Sequence, residues 1–249
     1  MKTPEGAFSS SADFYEALAG GPKRLEREAP LLLAFLDGVH GSRVADIACG
    51  TGIHALFFAE SGAQVDAFDL ADAMVDYARK HRPHHAISYQ QGDMRRLSMG
   101  IWDLIVCLGN SLSLLENQSD LESVFSGVRP CLAPAGAFAV QILNYQAKAA
   151  KQARHNEVHT HADGWNVTAL KTLTPQKDHT LLALNFFAAK EGIWRMASET
   201  AVLQPWTLED LQAAARKAGL TTKAVHGAMD GNPFDAETST DLVLLLEPA

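Results

Sequence analysis

Val44-Ala-Asp-Ile-Ala-Cys-Gly-Thr-Gly52 is the stretch on which the reading of this chain turns. Its first half has the apolar character of a buried strand, its glycines break that strand into a turn, and a helical run from Ile53 to Ser61 follows at once. Glycine lets the backbone approach a ligand closely, and a helix N-terminus presents unpaired N–H groups. The pattern predicts a nucleotide-like cofactor. It does not choose one, because Gly50-Thr-Gly-Ile-His-Ala55 also satisfies the G-x-G-x-x-G/A spacing of dinucleotide binders.

Two acids further along the chain separate the choices. The strand-like Gln64 to Leu70 ends in Asp69, whose carboxylate can accept hydrogen bonds from both hydroxyls of a ribose. The next one, Ile87 to Gln91, runs into Gly92-Asp93-Met94 and sets another acid at a strand's carboxyl end, able to receive an adenine amino group. Asp46 adds a third just before the glycines. Carboxylates so placed repel a pyrophosphate and attract a cofactor that is cationic at sulfur and carries an amino group. S-adenosylmethionine is the expected cofactor, with S-adenosylhomocysteine as product.

With these residues the chain resembles the class I S-adenosylmethionine-dependent methyltransferases, well from Gly41 to Tyr145 and more loosely beyond. The resemblance puts Asp46 to Gly52, including Cys49 and Gly50, at the family's glycine-rich motif. Asp69 with Leu70 falls at the ribose-binding acid, and Asp93 with Met94 at the adenine side. Ala48 stands where the family usually has glycine, which predicts a slightly shifted loop. Cys107-Leu-Gly-Asn-Ser-Leu112 resembles the same segment of glycine N-methyltransferases and related small-molecule N-methyltransferases. That implies substrate contact for Asn110 and cofactor contact for Leu108 and Ser111; the residues alone read as a strand followed by a Gly-Asn turn.

A second echo lies at Gln141-Ile-Leu-Asn-Tyr145, where Asn144 and Tyr145 match the glycine-methylating group but Leu143 replaces its carboxylate-binding arginine. Glycine is therefore an unfavourable substrate. Arg195 is a replacement cation or a solvated strand-face residue. Similar enzymes fold an N-terminal helix over the cofactor, so Tyr15 is a cofactor contact or a helix-packing residue, and Arg24, in competition with Arg27, a partner for the cofactor carboxylate. Met74 lies against adenine or in the core. His54 touches the cofactor's carboxylate end or lies exposed on its helix, and Cys49 has the low-pKa setting of a helix start.

The expected fold is α/β: a Rossmann-like seven-stranded, mostly parallel sheet with helices on both faces, N-terminal lid helices and an inserted antiparallel meander. Helices are predicted at 12–19 and 25–37, with Gly20-Gly-Pro22 as a break between them. Strands 44–48, 64–69, 87–91, 102–108 and 136–143 alternate with helices 52–61, 72–81 and 119–131. Three alternating stretches, Trp165 to Leu173, Thr180 to Ala189 and Trp194 to Leu203, form the meander. Thr207-Leu-Glu-Asp210 opens another helix, closed by Gly219. Strands near 221–227 and 240–246 finish the sheet as an antiparallel hairpin, an arrangement that the resemblance implies. The division is thus a lid over 1–40, a core over 41–147 and 204–249, and a substrate-side β insertion over 148–203.

The 249 residues, 47% of them hydrophobic, suit one globular core with one elaboration. A net charge of −8 disfavours nucleic acid and favours a small-molecule methyl acceptor. The polar amino terminus and the lack of a long apolar run predict a cytoplasmic protein without membrane contact, a monomer or homodimer, with disorder only at the extreme ends. Cys49, Cys107 and Cys131 are an odd set without metal-ligand spacing and are expected to be reduced. The clusters His81, His84, His85 and His155, His159, His161 are read as loop histidines, and no metal is expected.

Methyl transfer is an in-line displacement that asks for alignment and desolvation of two partners, not covalent catalysis. An amine acceptor needs a hydrogen-bond acceptor to orient it, for which the Asn110 amide oxygen and the Tyr145 hydroxyl are the catalytic candidates. Two other readings are an NAD-dependent oxidoreductase and a non-catalytic cofactor-binding protein of the same fold.

Overall fold

The computed structural model describes residues 12–19, 21–39, 42–97, 100–162 and 164–249. The extreme amino terminus and Gly20 lie outside them. In chain order the first elements are α1 (Ala12–Ala19), α2 (Gly21–Asp37), β1 (Arg43–Ile47), α3 (Ile53–Glu60), β2 (Gln64–Asp69), α4 (Asp72–His81) and β3 (Ile87–Gln91). Then come β4 (Trp102–Cys107), α5 (Gln118–Val128), β5 (Leu132–Leu143), β6 (Arg154–Ala162), β7 (Trp165–Pro175), β8 (Thr180–Lys190) and β9 (Ile193–Leu203). The chain closes with α6 (Leu208–Lys217), β10 (Leu220–His226) and β11 (Asp241–Pro248).

Seven strands form one sheet in the order β10-β11-β5-β4-β1-β2-β3. The pairs β1/β2, β1/β4, β2/β3 and β4/β5 are parallel, whereas β11 runs antiparallel to both β5 and β10. Period-2 alternation splits the strand side chains between two cores, as a sheet covered on both faces requires. Val44, Leu104 and Val106 pack with Leu32, Phe35 and Phe58 of α2 and α3. Ala45, Ile105 and Phe138 pack on the opposite face with Leu121 and Phe125 of α5 and Leu211 of α6. The strand order reverses at β1, between β4 and β2, and a crevice at the carboxyl ends of the strands follows from that reversal.

Local chemistry sets several boundaries. Thr207 caps α6 by accepting from the Asp210 N–H at 3.2 Å, while the Asp210 carboxylate accepts from the Thr207 N–H at 2.9 Å, so aspartate completes the capping box. Gly219 follows in the left-handed conformation, φ 73°. Gly21 and Pro22 belong to α2 and do not break it, since proline suits a helix's first turn. The C-terminal end is paired through Pro248, and the Ala249 N–H donates to the Gly219 carbonyl at 3.0 Å, contrary to the expected disorder. Among the described residues no helix is long and apolar enough to cross a membrane.

The insertion is a four-stranded antiparallel sheet, β6-β7-β8-β9, one strand more than the apolar pattern indicates. The extra strand, β6, reads Arg-His-Asn-Glu-Val-His-Thr-His-Ala and lacks an apolar alternation because it is a polar edge strand. His155, His159 and His161 are therefore strand residues, not loop residues; the His159 and His161 Nδ1 atoms lie 3.0 and 3.1 Å from Thr168 Oγ1 and Asn166 Oδ1. On β8 the even positions Leu182, Leu184 and Phe186 are buried, while Leu181 and Phe187 face outward. Phe14 of α1 sits in the same cluster, 6.4 Å from the rings of Trp165 and Phe186, so the first helix is packed on the insertion.

Gly52 joins the glycine turn to α3 at φ 82°, and a Cβ there would lie 2.8 Å from the Tyr89 ring and 3.1 Å from the Ala78 Cβ. Tyr89 is pinned, because its hydroxyl donates to the Arg82 carbonyl. Gly52→Ala is expected to lower stability by about 3 kcal/mol, from left-handed strain of about 1 to 2 kcal/mol and overpacking of about 1 to 3 kcal/mol. The midpoint of denaturant unfolding checks this; an unchanged midpoint contradicts it.

Candidate active site

The turn after β1 uses three left-handed residues, Ala48 (φ 63°), Gly50 (φ 55°) and Gly52 (φ 82°). Ala48 keeps the turn that glycine would make and carries strain of about 1 to 2 kcal/mol for doing so. Asp69, at the end of β2, holds the turn in place: its Oδ2 accepts from the Gly50 N–H at 2.8 Å and its Oδ1 from the Ala71 N–H at 2.9 Å. Burial pushes its pKa up, against the pull of these backbone donors. Asp93, after β3, is paired with Arg95, whose Nη2 lies 2.6 Å from Oδ2, and its pKa is held below the usual range despite partial burial.

These residues open on a cavity of about 230 Å³. Its lining includes Ala48, Cys49, Gly50, Asp69, Leu70, Met74, Asp93 and Met94 from the parallel half of the sheet, and Leu108, Asn110 and Ser111 from the loop after β4. Tyr15 and Arg24 reach it from α1 and α2. The structure thus gathers most of the expected contacts around one space. Arg24 lines it and Arg27 is exposed, which separates the two candidates. Met74 both lines the cavity and packs with Tyr15 and Ala71.

Asp46, Gly52 and Tyr145 are not among the lining residues. Asp46 is 1% exposed beneath the turn, and its Oδ2 has no hydrogen-bond partner. Burial, with the charge of Asp69 adding to it, raises the Asp46 pKa to about 7. In the unfolded chain the group ionises near pH 4, so its contribution to stability is fully present below that pH and is lost as pH rises through 7. Asp46→Asn is therefore expected to gain stability relative to the parent as pH rises from about 4 to 8, on the order of 4 kcal/mol in total. Denaturant titrations of both proteins across that range measure the difference; a pH-independent difference contradicts the assignment.

Two further expectations are corrected. Cys49 is buried, and burial together with Asp46 and Asp69 drives its thiol pKa well upward, so the helix start gives it no low-pKa character. All three cysteines are free and buried. His54 lines the cavity, in keeping with one of its two readings, but the exposed-helix reading is corrected: it is 6% exposed, with Nε2 2.9 Å from Glu28 Oε2, and burial pushes its pKa down. Glu28 also accepts from Arg24 Nε at 2.7 Å, so α2 is tied to the helix after the glycine turn. On α1, Glu16 accepts from the Thr51 hydroxyl at 2.7 Å and pairs with Arg82. Apart from the i,i+4 pair Arg24–Glu28, the partners in this network lie 26 to 66 positions apart and carry no local pattern, and none of it was foreseen.

The loop after β4 is held from β5. Gln141 accepts from the Gly109 N–H through Oε1 at 2.7 Å and from the Asn110 N–H through its carbonyl at 3.1 Å. Asn110 itself is left-handed, φ 72°, a conformation asparagine tolerates. Its Oδ1 accepts from the Leu143 N–H at 2.8 Å, the Ser113 hydroxyl at 3.0 Å and the Tyr145 hydroxyl at 3.1 Å. The oxygen's lone pairs are thus engaged within the protein, and the Tyr145 hydroxyl is shared with Asn110 behind the cavity wall. Both candidates are brought together, as a clamp between β4 and β5.

Nothing lies within 4 Å of where a Cβ would stand on Gly50 or Gly109, both of which line the cavity. Backbone there leaves the room that a close-lying cofactor needs, and the acids Asp69 and Asp93 suit a ribose and an adenine amino group. Arg195 is not in the lining; it lies 4.8 Å over the Trp165 ring. The cation of the insertion that does line the cavity is Lys171, beside Leu182, Leu184 and Leu203. The sequence carried a signal for it, as Lys171 interrupts the apolar series Val167, Ala169, Leu173 on one strand face.

Residues 44–136 match the model of a methyltransferase domain family. Cypemycin N-terminal methyltransferase from Streptomyces sp is 25% identical over 206 residues, covering 82% of this chain and 83% of that protein. Glycine N-methyltransferase from Homo sapiens is 28% identical over 158 residues, 56% of this chain and 54% of that one. The solved structure of CalS10 with bound S-adenosylmethionine, an amino pentose methyltransferase from Micromonospora echinaspora, has the same fold, with TM-score 0.75 at 22% identity over 94% of this chain and 96% of that one. The glycine turn, the acids at the ends of β2 and β3 and the domain match over residues 44–136 agree: this protein, similar to the class I enzymes, is an S-adenosylmethionine-dependent methyltransferase.

Proposed function

We propose that this methyltransferase acts on the nitrogen of a small molecule, by in-line displacement in the cavity between the parallel sheet and the insertion. The observation that carries the reading is a single cavity walled on one side by the glycine turn, Asp69 and Asp93 and on the other by Asn110, Leu182, Leu184 and Leu203. Relatives named as N-methyltransferases of a peptide terminus and of glycine support nitrogen as the acceptor atom.

In this reading S-adenosylmethionine supplies an electrophilic methyl group on a sulfonium. Asp69 receives the ribose hydroxyls, Asp93 the adenine amino group, and Leu70, Met74 and Met94 flank the ring. Gly50, Cys49 and Ala48 bring backbone close to the cofactor, with Leu108 and Ser111 opposite and Tyr15 and Arg24 toward its methionine end. Asp46 acts from beneath, by supporting the turn. The helices of residues 1–40 form the lid, residues 41–147 and 204–249 the core, and residues 148–203 the acceptor side. Asn110 and Tyr145 set the position of the wall against which the acceptor lies, and the apolar insertion excludes water.

The test is calorimetric titration with S-adenosylmethionine, S-adenosylhomocysteine and NAD, followed by transfer of isotopically labelled methyl to panels of amines, alcohols and thiols. Binding of the first two ligands and label on amines is the expected result. Label confined to alcohols or thiols overturns the nitrogen assignment.

A further inference from the structure

Lys171 is the charged group that the insertion presents to the cavity, and nothing in the role of the glycine turn requires it. It lies on β7, on the face that turns Val167, Ala169 and Leu173 inward. Its cross-strand neighbours are Asn156 on β6 and Leu184 on β8, and Glu199 on β9 is next in the same row. Two strand spacings put Glu199 about 10 Å away. Among the described residues no carboxylate lies within 4 Å of the Lys171 ammonium and no acceptor bonds to it, although it stands among leucines.

The surrounding charges do not neutralise it. Burial first, then the like charges of Arg24 and Arg154, push its pKa below the ordinary lysine value, and Asp241 alone opposes them. Asp241 is itself occupied by the Gln141 side-chain amide at 2.8 Å. A cation kept in an apolar pocket with two other cations near it is stabilised by an anion that enters.

We infer that the methyl acceptor is a small amine that also carries an anionic oxygen group, a carboxylate or a phosphate, and that Lys171 receives that group. The inference rests on the proposed amine-methylating function and deepens it. Lys171 then does from the insertion what Leu143 cannot do from the end of β5. It holds the anionic end against the insertion, so that the amine points back toward Asn110 and the glycine turn.

The test uses the protein saturated with S-adenosylhomocysteine and two matched pairs of probes, leucine with leucinamide and phosphoethanolamine with ethanolamine. Calorimetry is expected to show one anionic member binding at least about tenfold more tightly than its neutral twin, as a charged hydrogen bond implies. Which pair responds separates carboxylate from phosphate. Lys171→Met should abolish the preference and Lys171→Arg keep most of it, with S-adenosylhomocysteine affinity unchanged within about twofold in both. The inference is overturned if the neutral twins bind equally well, if neither anionic probe binds at millimolar concentration, or if Lys171→Met retains the preference. It is also overturned if Lys171→Met weakens S-adenosylhomocysteine itself about tenfold, since Lys171 would then serve the cofactor carboxylate. Label transfer to neutral amines alongside any of these failures leaves the proposed function standing, whereas absence of cofactor binding by the parent protein ends both.

Discussion

Asp69→Ala is expected to weaken S-adenosylmethionine binding by at least about 100-fold, from the loss of two charged hydrogen bonds to the ribose at about 1.5 to 3 kcal/mol each. Each carboxylate oxygen already accepts one backbone N–H, from Gly50 and from Ala71, and keeps further lone-pair capacity on the cavity side. The same substitution also frees the Gly50 N–H and loosens a turn that contains the strained Ala48. Asp69→Asn should be nearly as damaging, because an amide offers one acceptor oxygen and turns an NH2 group toward a backbone donor. Calorimetry on variants shown to be folded by circular dichroism decides the matter; an affinity within about twofold of the parent would mean that Asp69 does not face the ribose.

Asn110→Ala should separate positioning from cofactor binding: kcat falls by about 100-fold, as misplacement of a reacting partner by about 1 Å predicts, while S-adenosylmethionine affinity changes by less than about threefold. The alanine leaves the buried Leu143 N–H and the Ser113 and Tyr145 hydroxyls without their shared acceptor, and it inherits a φ of 72°. Asn110→Asp keeps the acceptor and loses the amide donation to the Tyr145 hydroxyl, so an intermediate kcat is expected. Steady-state kinetics with the acceptor identified by the label-transfer panel read both variants. A parent-like kcat for Asn110→Ala would remove the clamp from the mechanism.

Sequence alone determined whatever depends on neighbours in the chain. Near-continuous apolar runs specified the central strands, since a sheet covered on both faces buries consecutive side chains. Gly50 and Gly52, the acids at the ends of β2 and β3, and the Thr207–Asp210 cap were legible because each stands in a recognisable local pattern of residue types. Tertiary structure decided what depends on distant partners. Cys49 looks activated at a helix start until Asp46 and Asp69 are placed against it, and His54 looks exposed until Glu28 arrives from α2. Strand β6 exists by pairing with β7, not by its own apolar pattern, and Asn110 gives its oxygen to Leu143 only because β4 and β5 lie side by side. A motif fixes which groups are present, but the dielectric around them and the partners of their lone pairs are set by chain segments tens of residues away, which is why the cofactor was readable in the sequence, whereas Lys171, marked there only as a break in an apolar series, took its place at the cavity from the fold.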